Sequence, residues 1–549
     1  MKNNHILRKQ YTLNDNEYQL KIPMEFEVCI PDNDCVRLIS QFVEEMDLTA
    51  LYGTYERMPS EKYASPTVML KILLYAYHER KDISSRTIEK NCRRDINYMY
   101  LLEGAPAPDH ATIARFRSKH FAECSHEILS HMTHMLYDLD QITDTEVFID
   151  GTKIEACANR YTFVWKKSLT KHQARCFQKT ALLVEDIIQR YGLKPIRNRQ
   201  VQKKHVKKTL KQLRKMAHET GIEFVSGRGS KKTQLQRDIE ALEEALDKIK
   251  EYESRLHICG SRNSYSKTDN DATFMHMKDD HMMNGQLKPA YNVQHAVNSG
   301  FIAAVGVFPN PTDVLTLKPF MEQMKESLDL RFKRVVADAG YESEENLKYL
   351  ENEGIEAYIK PADYEQRGTG KFAAQIGRKE NMSYDADEDC YICCNGRKIR
   401  NVKTRFRKTG SGYLREETHY LCSDCDGCPF RAECMPGRNW KKPVEKRFKR
   451  LVVSKEFERL RKREYELIGT DEGKMLRMNR SIQVEGSFAD IKGDSEFTRF
   501  LCRGKENILA ESILFAMAHN LGWLHSRIQN DKLNLHLYEL KDEAAYLRN

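Results

Sequence analysis

The sequence predicts an α/β fold with a mixed sheet at its centre, and three stretches carry that expectation. In VFIDGTKIEACANR, Val147, Phe148 and Ile149 form a short apolar strand that delivers Asp150 to its end, and Gly151 lets the backbone turn away. In RFKRVVADAGYESEENLKYL, Val335, Val336 and Ala337 form a second such strand ending on Asp338, with Gly340 and a helix start near Ser343 completing one βα unit. In LKPAYNVQHAVNSGFIAAVGVF, two strand-like runs flank Asn298, Ser299 and Gly300 and read as a hairpin. Functional residues of α/β sheets collect at the carboxyl ends of strands, so Asp150 and Asp338 are expected to converge on one edge as metal ligands or catalytic acids.

Ahead of the first strand the chain reads as helical. Pro31 and Asp34 precede a helix carrying Val36, Leu38, Ile39, Phe42 and Val43, which suits a DNA-end-binding region and a capping helix equally. Ser65 as N-cap and Pro66 at the first helical position open a core helix whose apolar set is Val68, Met69, Ile72, Leu73 and Ala76. Caps at Ser84 or Ser85 and at Asp109 mark further short helices, the last bearing Arg115, Arg117 and Lys119, a succession that suits a helix-turn-helix reader or a plain bundle.

Residues 161–260 are too many for a loop and read as a helical insertion. Twelve Lys and Arg fall between Ile196 and Lys232, Lys203, Lys204, Lys207 and Lys208 among them, the footprint of a polyanion partner or of a solvated face. Leu235, Ile239, Leu242, Leu246, Ile249 and Leu256 then make a coiled-coil seam, for an antiparallel unit that dimerises or tracks DNA. His276 and His281 in MHMKDDHMM read as loop residues rather than metal ligands.

Fifteen cysteines in a 549-residue chain without an apolar signal core read as thiols of a cytoplasmic protein, and nothing approaches 18 consecutive apolar residues, so no membrane partner is expected. The net charge of +9 is modest over this length, but its clustering favours nucleic acid. Cys422, Cys425, Cys428 and Cys434 contain two C-x2-C steps that can wrap a soft metal, with Cys390, Cys393 and Cys394 upstream. A structural zinc or an iron–sulfur cluster would use such ligands, and zinc needs no redox role. The basic run from Trp440, WKKPVEKRFKRLVVSKEFERLRKREYEL, reads as a helix leading into NRSIQVEGSFADIK, where Glu485 and Lys492 lie two helical turns, about 10 Å, apart on one face.

Taken in order, VFIDGTKIEACANRYTFVWKK, VVADAGYESEENL and VEGSFADIK resemble the DDE transposases of bacterial insertion sequences, of the group numbered eleven-eighty-two, over nearly the whole chain. The resemblance implies a ribonuclease-H-like core with Asp150, Asp338 and Glu485 as an acidic triad holding two Mg²⁺ or Mn²⁺ ions, and DNA ends and target DNA as partners of a homodimer. It implies end cleavage by two-metal hydrolysis followed by joining of the 3′-hydroxyl. The related Y-R-E-K signature is matched by Glu485 and Lys492, but Ser481 and Met478 stand at its arginine and tyrosine positions, which leaves Arg477 and Arg480 as alternative phosphate holders. A structure-specific nuclease without strand transfer would keep the triad, and a zinc-containing DNA-binding regulator would keep only the cysteines and basic helices. The expected domains are an N-terminal helical DNA-binding region (1–140), the core (141–160, 261–375 and 470–530), the basic helical insertion (161–260), a cysteine-rich insertion (376–445), a basic helix (446–469) and a tail (531–549).

Overall fold

The computed structural model describes residues 29–56, 65–80, 82–196, 201–226, 231–277, 285–328, 330–437, 443–489 and 497–539. Among the described residues, seven complete helices precede the first strand: α1 (Cys35–Glu45), α2 (Thr49–Glu56), α3 (Pro66–Glu79), α4 (Ser85–Asn91), α5 (Ile96–Leu101), α6 (His110–Arg115) and α7 (Ala122–Asp138), the last two joined by a π-helical turn, Phe116–Phe121. The side chains of Asp34, Ser84 and Asp109 cap α1, α4 and α6 by accepting from backbone N–H groups. The α3 helix is buried on every side, not on one face, because α1 and the long C-terminal helix both pack on it. Its Lys71 is fully buried, and Glu44 and Glu103 pair with the ammonium, which makes that burial tolerable.

The central sheet contains β1 (Glu146–Glu155), β4 (Thr273–His276), β5 (Leu287–Asn298), β6 (Phe301–Phe308), β7 (Arg334–Ala337) and β8 (Glu356–Ile359). A small pair, β2 (Phe163–Trp165) and β3 (Ser264–Ser266), closes the base of the helical insertion. The order is β6-β5-β1-β7-β8, with β4 continuing the outer edge of β5; β5 and β6 run antiparallel, while β7 and β8 run parallel to β1. That order and polarity are those of a ribonuclease-H-like sheet. Ser299 and Gly300 take positive φ at the β5–β6 turn, the backbone a tight two-residue hairpin requires.

Alternation along β1 divides the sheet between two cores. Phe148 joins Val297, Val336 and Tyr358 in the core shared with the N-terminal helices, while Val147 and Ile149 face the core covered by α11 (Leu317–Ser327) and α12 (Glu344–Asn352). Each large apolar side chain so buried contributes roughly 1.5–3 kcal/mol.

The insertion is three helices, α8 (Lys166–Arg190), α9 (Lys203–Glu219) and α10 (Gln234–Cys259), with their own apolar core. The seam of Leu235, Ile239, Leu242, Leu246 and Ile249 is filled by α8 and α9 of the same chain, so it does not serve as a dimer zipper. Leu256 packs separately, against the β2–β3 pair.

A second, five-stranded antiparallel sheet holds the cysteines, in the order β13-β12-β11-β10-β9: β9 (Ser383–Asp385), β10 (Cys390–Ile392), β11 (Lys398–Lys408), β12 (Leu414–Leu421) and β13 (Arg450–Val453). The expected basic helix therefore begins later, at α13 (Lys455–Gly469), and residues 450–453 are strand. The α14 helix (Asp471–Ala489) then crosses the central sheet against β1, β5 and β7, and α15 (Lys505–Gln529) fills the core between β6, α3 and α7.

Candidate active site

Strand register brings the first two acids together. Phe148 pairs with Val336 and Ile149 with Ala337 on the parallel strands β1 and β7, so Asp150 and Asp338 follow as the next neighbours. Neighbouring strands lie about 4.8 Å apart, which sets the two residues side by side at the end of β7. The sequence expectation needs one correction: β1 does not end at Asp150 but runs through Gly151 to Glu155, held by its long antiparallel pairing with β5. The parallel neighbour stops there instead, so Asp150 faces the opening left beyond Ala337.

Gly151 is therefore needed for space, not for a turn. A Cβ at this position would overlap the Gln294 amide and lie 2.9 Å from Asp313 Oδ1. Asp313 opens a short 3₁₀ turn, and its carboxylate reaches back into the site. Asn292 Nδ2 and Gln294 Nε2 donate to Asp313 Oδ1 at 2.7 and 3.2 Å, and Asp313 Oδ2 lies 3.5 Å from where a Gly340 Cβ would stand. Asp338 Oδ1 accepts from Gly340 N at 2.8 Å, which fixes the turn after β7.

Tyr341 lies beneath this group. Its buried hydroxyl donates to Gln294 Oε1, and its pKa stands well above the ordinary range because of burial and then the charges of Asp313, Asp150 and Asp338, opposed by Arg480. Three carboxylates and one guanidinium thus share one neighbourhood. His295, opposite Asp150 on β5, is stacked on Phe488, and burial first, then His519, pushes its pKa down to about 3, so the ring is neutral.

The α14 helix delivers Arg480 to this site. Arg480 Nη1 is 3.2 Å from Asp150 Oδ2, with the side chains 18% and 19% exposed. Asn479 and Gln483 anchor the helix by bonding to the backbone of Tyr538, His536 and Gly300. Glu485 lies about 140° further round the helix axis from Arg480. It is exposed and accepts from Ser481 Oγ at 2.9 Å, so the structure sets it on the flank of the helix, apart from the face that carries Arg480. Lys492 and Ile491 lie outside the described residues.

The other basic residues divide by environment. Arg477 stacks over the Tyr364 ring at 5.0 Å. Arg115 bonds Ala111 O and Thr112 Oγ1 of its own helix, both at 3.4 Å. Arg117, expected to face DNA, is 7% exposed and donates to the Tyr77 hydroxyl at 3.3 Å, because the π-helical turn rotates it inward toward buried Glu511. On α9, Lys203 pairs with Glu253, whereas Lys204, Lys207 and Lys208 are exposed. Within α13, Arg459 and Arg461 are engaged by Glu351, Glu456, Glu342 and Asp363. His276 ends β4, while His281, Arg197, Arg199 and Arg228 lie outside the described residues.

Cys422, Cys425, Cys428 and Cys434 line one small cavity, and the fold brings Cys393 and Cys394 to the same wall. Burial, followed by the neighbouring Cys425 and Cys393 sulfurs, pushes the Cys422 thiol up to about 11. Lys449 N donates to Cys425 Sγ at 3.4 Å and Asn395 Nδ2 to Cys428 Sγ at 3.6 Å, contacts suited to thiolate ligands. Cys390 lies apart, buried in β10. Among the described residues, no three His, Cys, Asp or Glu side chains are already arranged to hold a metal ion, and no helix is long and apolar enough to cross a membrane.

Comparison with known proteins identifies two segments. Residues 392–525 match the family model described as a transposase DDE domain, and residues 24–119 match the one described as a transposase domain of the DUF772 type. The first match takes in Cys393, Cys394, Cys422, Cys425, Cys428, Cys434 and Glu485 but neither Asp150 nor Asp338. No curated protein and no solved structure matches the chain.

Proposed function

We propose, on the premise that this chain is a transposase of the DDE class, that it binds the terminal repeats of an insertion element, cleaves the DNA there and joins the released 3′-hydroxyl to target DNA. The observation that supports the reading most directly is the register that sets Asp150 beside Asp338 in a chain carrying transposase domains. Carboxylate oxygens suit hard divalent cations, so Asp150, Asp338 and Glu485 would hold two Mg²⁺ or Mn²⁺ ions. When bound, such ions would neutralise charge on the attacking and leaving oxygens of the phosphodiester.

The chain's own residues would do the rest. Asp150 and Asp338 would offer their carboxylates from the sheet, and engagement of Glu485 would require α14 to turn or bend so that its flank meets the sheet edge. Asp313 holds the Gln294 amide that in turn orients Tyr341, which keeps the floor beneath the acids rigid. Arg480 balances Asp150 and offers a guanidinium to a DNA phosphate. Water is the first nucleophile and the freed 3′-hydroxyl the second, so no covalent enzyme–DNA bond is required. The N-terminal region, residues 1–140, would grip the repeats, two copies would hold paired ends, and the cysteines would bind one structural zinc. The reaction would take place on cytoplasmic DNA.

The test is nicking of a labelled element end in Mg²⁺. Asp150→Ala, Asp338→Ala and Glu485→Ala should each abolish nicking with end binding retained; a variant that still cuts removes its residue from the set. Absence of joined product from an enzyme that nicks would reduce the activity to that of a nuclease.

A further inference from the structure

The β11–β12 hairpin carries a basic face that the site described above does not use. Beyond Arg400, no strand among the described residues lies on the outer edge of β11, since β10 covers only Lys398–Arg400. Residues from Arg400 to Lys408 are exposed throughout. The register pairs Lys403 with His419, Arg405 with Glu417 and Arg407 with Arg415, which sets these side chains on one face of the ribbon.

Beneath that face lies Glu417, only 1% exposed. Arg415, Arg405 and Arg407 approach its carboxylate at 2.7, 3.6 and 3.8 Å, and His419 stands 3.8 Å away. One buried carboxylate cannot neutralise three guanidinium groups and Lys403, so the face keeps an excess of positive charge. Charged side chains on a free strand edge commonly serve only to prevent edge-to-edge pairing. That role needs one or two charges pointing along the edge, and it does not account for three arginines gathered over a shared buried acid. The gathering pre-organises the donors, and planar guanidinium groups match phosphate oxygens.

The ribbon is also fixed relative to the acids. Tyr413 at its tip donates to Glu344 at 3.0 Å and Ser411 donates to Glu345, both at the start of α12, the helix that follows Asp338. We infer that the face formed by Lys403, Arg405, Arg407 and Arg415 binds the sugar–phosphate backbone of duplex DNA alongside the acidic site. This rests on the transposase reading and names a DNA contact surface for it.

The test uses the full chain and a fluorescein-labelled, mixed-sequence DNA duplex, with binding followed by anisotropy across a series of NaCl concentrations. Replacing Lys403, Arg405 and Arg407 together by Gln should weaken binding and lower the log–log salt slope by about 0.9 per lost contact, about 2.7 in all. A control variant, Lys403→Arg with Arg405→Lys and Arg407→Lys, should keep the wild-type slope; if it loses as much as the Gln variant, charge is not the cause and the proposal fails. Wild type that binds normally beside a Gln variant of unchanged slope overturns the ribbon alone. Wild type showing no salt-dependent binding of DNA overturns both the ribbon and the reading it rests on.

Discussion

The two sheets of this protein are organised by different physics. The central sheet is covered on both faces, and its strands bury Val, Ile, Phe and Ala in continuous cores shared with the surrounding helices. The cysteine-bearing sheet has a small buried cluster, Ile399, Tyr420, Cys422, Cys425 and Val453, in which two of five members are cysteines. Burial of apolar area therefore suffices to hold the acids in register, whereas the second sheet has far less apolar burial to hold it together. The proposed chemistry and the proposed DNA contact divide along the same line, with acids on the central sheet and a basic ribbon projecting from the less apolar one.

The largest effect should come from the rigid sheet, where function can be removed without loss of structure. Asp338→Asn should lower nicking on the order of 10³-fold, because its own charge is lost while the neighbouring Asp313 carboxylate is held by the Asn292 and Gln294 amides, and the melting temperature should stay close to wild type. Parallel assay of nicking and thermal unfolding checks this, and a large fall in melting temperature would show that the acids are structural.

The cysteine-bearing sheet should respond in the opposite way. Protein purified anaerobically should contain about one zinc per chain, and a chelator should expose the insertion to proteolysis while the central core persists. Elemental analysis with limited proteolysis decides the matter; iron with sulfide would replace zinc by a cluster, and neither metal would leave the thiols unliganded.

A pH effect should belong to the central sheet. Glu464 on α13 is buried and accepts from Ile359 N at 3.0 Å, and burial, only partly offset by that bond, pushes its carboxyl up to about 8. A carboxyl raised above its unfolded value of 4.5 binds its proton more tightly when folded. Its contribution is therefore complete below about pH 4.5 and is lost as pH rises toward about 8, on the order of a few kcal/mol. Glu464→Gln keeps the acceptor without the charge and should flatten denaturant midpoints measured between those pH values; an unchanged pH profile would assign the loss to other groups.

Gly151→Ala should cost about 1–3 kcal/mol, because the added methyl meets Gln294 and Asp313. If nicking falls with it while Asp150 is untouched, the Asp313–Gln294–Tyr341 chain supports the site, and normal activity would make it structural only. The smallest effect is expected from α9, where changing Lys203, Lys204, Lys207 and Lys208 to Gln should lower the salt slope for DNA by about 0.9 per true contact. Lys203 already pairs with Glu253, so a fall of at most about 2.7 is expected, and no change would assign the stripe to solvent.

Local pattern was enough to locate Asp150, Asp338, the hairpin and the helix caps, because each depends on neighbours within a few residues: apolar runs, an acid, a glycine, a cap. Periodicity likewise revealed the seam of α10, but not that α8 and α9 occupy it, since an apolar stripe does not specify which surface it meets. Tertiary structure alone decided that Asp313, 163 positions beyond Asp150 in the chain, stands beside the acids, because β5 carries the amides that hold it. It decided that Arg480, not a residue at the signature position, meets Asp150, and that Arg117 turns inward on a π-helical turn that no spacing rule announces. Charge is written in the sequence residue by residue. Whether that charge meets solvent, an ion partner or DNA depends on which distant elements pack around it, and that is set only when the whole chain has folded.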